Sequence, residues 1–266
     1  MNETLNIDGI GRVELSYTER GSGQPVLLLH GGAGPISVVA WAELLARTRP
    51  ACVITPTHPG FSGTPRPEAL TSIGGLARVY AALIDKLGLD VVTVIGNSIG
   101  GWIAVELALV ARTRISSLVL VDAVGIDVPD HPVADVFSLS LDELSRLSYH
   151  DPVRFGIDIS KFTPEQKAMM AANFAALRQY GGGGMDRSLR ARLSAIVLPT
   201  LVVWGQSDRV ADAEYGRAYA QAIAGAKFQL LDGSGHLPQI ETPERLAETI
   251  WPFITEHAPR RAKGSR

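Results

Sequence analysis

The sequence predicts an α/β protein: a mostly parallel sheet with helices on both faces and a helical insertion in its second half. Three observations carry this. Short apolar runs recur at Val26-Leu27-Leu28-Leu29, Cys52-Val53-Ile54, Val91 to Ile95, Leu118-Val119-Leu120-Val121, Thr200 to Trp204 and Phe228 to Leu231. These runs show little polar alternation, as expected of strands buried on both faces. Stretches of helical spacing separate them, and such alternation implies parallel strands joined by crossover helices. Finally, the glycine-rich and polar stretches follow the strands, at the ends where open α/β sheets bind ligands.

Taken in order, residues 3–19 alternate apolar and polar around Asp8-Gly9, which reads as an opening antiparallel hairpin. The run Val26 to Leu29 leads into the glycine-rich loop His30-Gly31-Gly32-Ala33-Gly34-Pro35. A helix is expected from Val38 to Arg47. The strand Cys52–Ile54 enters the loop Thr57 to Pro65. Ser72 is placed to cap a helix running to Leu87, with Leu76, Val79, Tyr80, Leu83 and Leu87 at helical spacing. The next strand ends in Gly96-Asn97-Ser98-Ile99-Gly100, and a helix is expected from Trp102 to Ala111. Another strand ends at Asp122.

From Val124 to Ile196 the strand-like runs stop. Ser140-Leu141-Asp142-Glu143 and Thr163-Pro164-Glu165-Gln166 are capping-box patterns, the second with proline at the first helical position. The glycines 181–184 break that second helix, and 186–195 reads as a last short one. Helices Ala213–Ile223 and Pro243–Glu256 then flank the strand Phe228–Leu231. The expected division is a core in two parts, 1–123 and 197–258, an inserted helical unit at 124–196, and a basic, unstructured tail at 259–266.

Composition narrows the function classes. A chain of 266 residues can bury a sizeable core without staples. The formal net charge of -2 gives no reason to expect a nucleic-acid partner. Cys52, the single cysteine, lies in an apolar run and reads as a small core residue. The N-terminus lacks a signal-peptide pattern and no apolar run approaches membrane-spanning length, so a cytoplasmic protein with no membrane partner is expected. The histidines at 30, 58, 131, 150, 236 and 257 stand at no metal-ligand spacing, so no metal is expected. The loop 30–35 has neither the Gly-Lys-Ser/Thr of a P-loop nor the order of a dinucleotide site, and no cofactor is expected.

Gly96-Asn97-Ser98-Ile99-Gly100 fits a nucleophile elbow, a tight strand-to-helix turn that lifts a serine hydroxyl over the sheet edge. With it, the chain resembles the α/β-hydrolase superfamily over nearly its full length. The matching stretches are His30-Gly31-Gly32, Gly96 to Gly100, Trp204-Gly205-Gln206-Ser207-Asp208 and Gly235-His236-Leu237-Pro238, in the superfamily's order of oxyanion loop, nucleophile, acid and histidine. The resemblance implies the α/β-hydrolase fold, with 124–196 as its helical cap.

The chemistry such a site needs is definite. A serine hydroxyl is a weak nucleophile and requires a base, which histidine supplies with its ordinary pKa near 6.5. A carboxylate fixes the imidazole's tautomer, and two backbone N–H groups stabilise the oxyanion. Ser98 is therefore the expected nucleophile, His236 the base and Asp208 the acid, with Asp122 its serious competitor and Asp232 a weaker one. Asp212 reads as a helix cap. Ile99, directly after the serine, is expected to give one oxyanion donor; the superfamily loop points to Gly32 for the second, with Ala33 the fallback. Ala33, Asn97, Trp102 and Leu237 are candidate pocket residues. His30 is expected to support the oxyanion loop. His58 stands where relatives often carry aspartate, which leaves one loop interaction open. Arg178 and Tyr180, just before the four glycines, stand where a cap can reach a substrate, but read more simply as a solvated helix end.

The resemblance implies a cofactor-free serine hydrolase, most simply of a small-molecule carboxylic ester. Gly96-Asn97-Ser98-Ile99-Gly100-Gly101 also resembles the elbow of the meta-cleavage-product hydrolases, which cleave a carbon–carbon bond, although Leu237 stands where those often have tryptophan. The loop 30–35 is similar to that of the proline iminopeptidases, with Ala33 in place of their proline. A serine at the elbow argues against the dehalogenases and epoxide hydrolases of the superfamily. A slow-turnover ligand receptor on the same fold is the reading from another class.

Overall fold

The computed structural model describes residues 1–182 and 184–258, so the tail 259–266 lies outside the described residues. The chain opens with β1 (Asn2–Ile7), β2 (Gly11–Gly21) and β3 (Gln24–Leu29), followed by α1 (Ile36–Thr48), β4 (Ala51–Pro56), α2 (Ile73–Lys86), β5 (Val92–Asn97), α3 (Ile99–Ala111) and β6 (Ile115–Val121). Then come α4 (Leu141–Ser148), α5 (Pro152–Phe155), α6 (Pro164–Gly181) and α7 (Leu189–Arg192). The sheet resumes with β7 (Thr200–Gly205), α8 (Ala213–Ala222), β8 (Lys227–Leu231), α9 (Pro238–Glu241) and α10 (Pro243–Glu256).

The eight strands form one sheet in the order β1-β2-β4-β3-β5-β6-β7-β8. β1 pairs antiparallel with β2, and β2 with β4; the remaining pairs are parallel. Side chains of successive strand residues point to opposite faces, so one run feeds two cores. Val26 and Leu28 pack with α1 and α10, beside Trp41, Leu45 and Ile250. Leu27 and Leu29 pack with α2, α3 and α8, beside Leu76, Ile103 and Tyr215. Cys52 is half-buried at the edge of the second cluster, where burial pushes its thiol up to about 11, unlike a reactive thiolate.

Several boundaries differ from the sequence reading: the helix expected over 186–195 is α only at Leu189–Arg192, and two further shifts have a plain physical cause. α3 begins at Ile99, three residues before Trp102, because Ser98 itself turns the chain and the two glycines continue directly as helix. β6 begins at Ile115, ahead of its apolar run. Ser117 is fully buried there, and its hydroxyl bonds that of Thr93 on β5 at 3.2 Å, which satisfies a polar group inside the sheet. Ser72, Ser140 and Thr163 cap α2, α4 and α6, the last two as reciprocal capping boxes. No helix among the described residues is long and apolar enough to cross a membrane.

Candidate active site

The turn after β5 holds Ser98 in the left-handed region, at φ 56° and ψ -120°. Such a conformation is costly for a residue with a side chain, and the packing around it is what maintains it. A Cβ on Gly96 would fall 2.2 Å from the Gly100 carbonyl oxygen, and one on Gly100 would fall 2.3 Å from that of Leu29. Only glycine fits at either position, which explains the spacing of the motif. The Ser98 N–H donates to Val121 O at 3.0 Å, while its carbonyl accepts from Gly101 and Val124.

Two other strand ends bring their side chains to this serine. After the last strand, the His236 N–H donates to Ser148 O at 2.7 Å, which seats the histidine loop against α4. Its ring Nε2 lies 2.9 Å from Ser98 Oγ and its Nδ1 lies 2.7 Å from Asp208 Oδ2. Asp208 follows β7; its other oxygen accepts from the N–H groups of Val210 and Ala211, at 2.8 and 3.2 Å. With the ring proton on Nδ1, the imidazole donates to Asp208 and accepts from the serine, the arrangement a general base needs.

Asp122 is placed differently. It is fully buried at the end of β6, and its Oδ1 accepts from Gly205 N at 2.7 Å. Burial, and next the charge of Asp208, push its carboxyl well above the ordinary carboxylate range. Both effects favour the neutral form of Asp122 beside Asp208. Asp122, Asp208 and His236 have potential ligand atoms within 4.8 Å of one another. The 2.7 Å Asp208–His236 spacing is a hydrogen bond, tighter than the ~3.3 Å that separates two ligands on a tetrahedral zinc with bonds near 2 Å. Asp232 is exposed, and Asp212 caps α8 through Tyr215 N.

The glycine-rich loop 30–35 follows β3. The N–H groups of Gly32 and Ile99 take no backbone partner among the described residues, and both residues border the cavity above Ser98. A Cβ on Gly31 would sit 3.1 Å from Ser98 Cβ, so the loop runs close over the elbow. Beneath it, His30 Nδ1 donates to Gly31 O at 2.8 Å and its Nε2 accepts from His58 N at 3.1 Å. The His58 ring stacks on that of His30, with Nε2 bonded to His30 O at 2.9 Å and Nδ1 bonded to the Tyr80 hydroxyl. His58 thus makes loop contacts of its own in the place of the missing aspartate.

This buried pair carries a pH prediction. Burial lowers the His30 pKa to about 4, and burial followed by the His30 neighbour lowers that of His58 well below its ordinary value. An unfolded histidine titrates near 6.5, so between these values the unfolded chain binds more protons and stability is lost as the pH falls. His30 alone is expected to cost about 2 kcal/mol at pH 5, the loss levelling off below pH 4. Urea midpoints at pH 7.5 and pH 5 check this; equal midpoints would rule it out.

A cavity of about 890 Å³ opens over the serine. Ala33, Asn97, Trp102 and Leu237 all border it, with Phe137, Met170, Phe174 and Leu177 contributed by the segment between β6 and β7. Asn97, however, spends its polar atoms internally: Nδ2 donates to His236 O at 3.1 Å and to Val121 O at 3.2 Å, and Oδ1 accepts from Gln239. It ties the elbow to the histidine loop. Trp102 both borders the cavity and packs into the larger core cluster. The solvated-end reading fails for Tyr180, which is buried with its hydroxyl donating to Pro59 O at 2.8 Å. Arg178 is exposed and lies 4.4 Å from the Phe137 ring centre, at the cavity border. Gln239 had no signal in the sequence, since its bond to Asn97 spans 142 positions.

A serine, a histidine and an aspartate on three strand ends of a sheet in this order define an α/β-hydrolase fold. A model of the alpha/beta hydrolase family matches residues 26–249, and the chain belongs to that family. The chain is 31% identical to the 2-hydroxy-6-oxo-2,4-heptadienoate hydrolase of Pseudomonas putida, over 92% of this chain and 94% of that one. Among solved structures, it superposes on a thermophilic esterase from Thermogutta terrifontis with a TM-score of 0.74 and 25% identity, covering 97% of this chain and 100% of the other. It also superposes on the meta-cleavage product hydrolase of Pseudomonas fluorescens IP01 with a TM-score of 0.77 and 22% identity, covering 96% and 97%.

Proposed function

We propose that the protein is a cofactor-free serine hydrolase of small, largely apolar carboxylic esters. The observation that carries this is the continuous hydrogen-bonded line from Asp208 through His236 to Ser98, ending at the floor of an apolar cavity. Ser98 Oγ attacks the ester carbonyl as its proton passes to His236 Nε2. The Gly32 and Ile99 N–H groups hold the oxyanion, and His236 returns the proton to the departing alcohol. Water then repeats the sequence on the acyl-enzyme. Asp208 keeps the ring in the required tautomer and offsets the charge of the imidazolium.

A second reading is hydrolysis of a carbon–carbon bond in a vinylogous diketone, supported by the likeness to the 2-hydroxy-6-oxo-2,4-heptadienoate hydrolase of Pseudomonas putida. Leu237 and the apolar lining leave Arg178, at the cavity border, as the one Lys or Arg among the lining residues to meet such a substrate's carboxylate. This favours the ester. Kinetics on p-nitrophenyl esters, proline anilides and a vinylogous diketone separate the readings. Ester turnover at least tenfold above the diketone in kcat/KM is expected. The reverse ranking would assign the carbon–carbon reaction, and tight binding with no turnover would assign a receptor.

A further inference from the structure

We infer that Asn173, on α6, is a positioning residue that aims the Gly32 N–H at the oxyanion; this rests on the proposed hydrolase reading. Asn173 is buried, yet its amide bonds lead out of its own segment in two directions. Its Oδ1 accepts from Ser62 N at 2.7 Å, and its Nδ2 donates to Ala33 O at 3.2 Å. Ser62 is one of three non-glycine residues at positive φ among the described residues, and this bond fixes it. Gly34 makes room for the crossing, since a Cβ there would meet Asn173 Nδ2 at 2.6 Å.

The peptide geometry carries the effect to Gly32. Each peptide unit is planar, so fixing its carbonyl and its N–H fixes its plane. The Ala33–Gly34 unit is held at its carbonyl by Asn173 and at its N–H by Gly31 O, 3.1 Å away. Gly31 O belongs in turn to the peptide unit whose N–H is that of Gly32. His30 Nδ1 holds the same carbonyl from below. Asn173 and His30 thus close a hydrogen-bonded frame around one oxyanion donor, Asn173 from the insertion side and His30 from the sheet side. Leu177, one turn further along α6, packs on Gly32, where a Cβ would approach it to 2.7 Å. Tyr180 continues the same helix face to Pro59 O.

The test compares Asn173→Asp with Tyr180→Phe. Asn173→Asp keeps an acceptor for Ser62 but replaces the donor to Ala33 with a carboxylate oxygen. Tyr180→Phe removes a bond from the same helix face without touching the frame. Each variant is assayed for p-nitrophenyl ester kinetics, thermal midpoint and the Gly32 amide resonance in a ¹⁵N spectrum. Asn173→Asp is expected to shift the Gly32 resonance and lower kcat about ten- to hundredfold, part of what losing one oxyanion donor costs, with KM within threefold. Tyr180→Phe is expected to lower the midpoint while kcat stays within threefold. An unmoved Gly32 resonance in Asn173→Asp overturns the inference, as does unchanged kcat or an equal kcat loss in Tyr180→Phe. Wild-type protein that turns over no substrate overturns the hydrolase reading instead, and the Gly32 resonance then decides the frame by itself.

Discussion

Replacing Ser98 with alanine is expected to lower kcat on p-nitrophenyl esters by about 10⁴-fold or more and to abolish labelling by a fluorophosphonate probe. The fold should survive, since Ser98 Oγ bonds only His236 Nε2 among the hydrogen bonds of the described residues, while the backbone contacts to Val121, Gly101 and Val124 remain. KM should change little, because the cavity walls are untouched. The expected size follows from the way such groups act as a unit: with the nucleophile gone, base and acid have nothing to activate, and only the oxyanion donors and binding still lower the barrier. For the same reason His236→Ala should cost a comparable factor, and the double variant little more than either alone. Labelling that persists in Ser98→Ala would move the nucleophile elsewhere.

What was legible in the sequence divides along physical lines. The strands were readable because burial on both faces strips them of polar residues, as in Val26 to Leu29. β6 was readable only from Leu118, because Ser116 and Ser117 find hydroxyl partners on β5 and so sit in the sheet without an apolar signature. Ser140 and Thr163 were readable as caps because their bonds reach only three residues ahead. α5 and α9 are single turns, too short to carry a periodicity; Asp151 caps the first through Arg154 N, and the second buries Pro238 and Gln239.

The site residues divide in the same way. Ser98, Asp208 and His236 were legible because each follows a strand, with glycine close at hand. The bonds of Asn97, Asn173 and Tyr180 cross more than a hundred positions, and no local spacing records them. Asn97 read as a pocket residue and does border the cavity, but its amide serves the loops; Tyr180 read as solvated when it is buried. His58 is a milder case: the absent aspartate was plain, but not the ring that makes contacts there.

The remaining question in the sequence was which aspartate serves His236, and the hydrogen-bond directions make opposite predictions for two isosteric changes. At 208, the two N–H donors of Val210 and Ala211 require an acceptor on one side of the side chain. In Asp208→Asn the amide oxygen must take that side, which turns the NH₂ toward His236 Nδ1. Nδ1 then has to accept, the ring proton moves to Nε2, and the atom facing Ser98 can no longer take its proton. The expected cost is about 10³- to 10⁴-fold in kcat. At 122, the acceptor for Gly205 N is again supplied by the amide oxygen, and the NH₂ replaces an oxygen with no hydrogen-bond partner among the described residues, on a carboxyl whose neutral form burial and Asp208 favour. A neutral amide stands in for a carboxyl whose neutral form is favoured, so Asp122→Asn is expected to lose less than about fivefold, with the acid limb of the kcat/KM profile in place. Were Asp122 ionised and paired with the histidine, its loss would instead remove a negative charge from beside the imidazolium. The limb would then move to lower pH and kcat would fall as far as in Asp208→Asn. Steady-state kinetics of the two variants from pH 5 to 9 distinguish these outcomes, and a larger loss at 122 than at 208 would reverse the assignment of the acid.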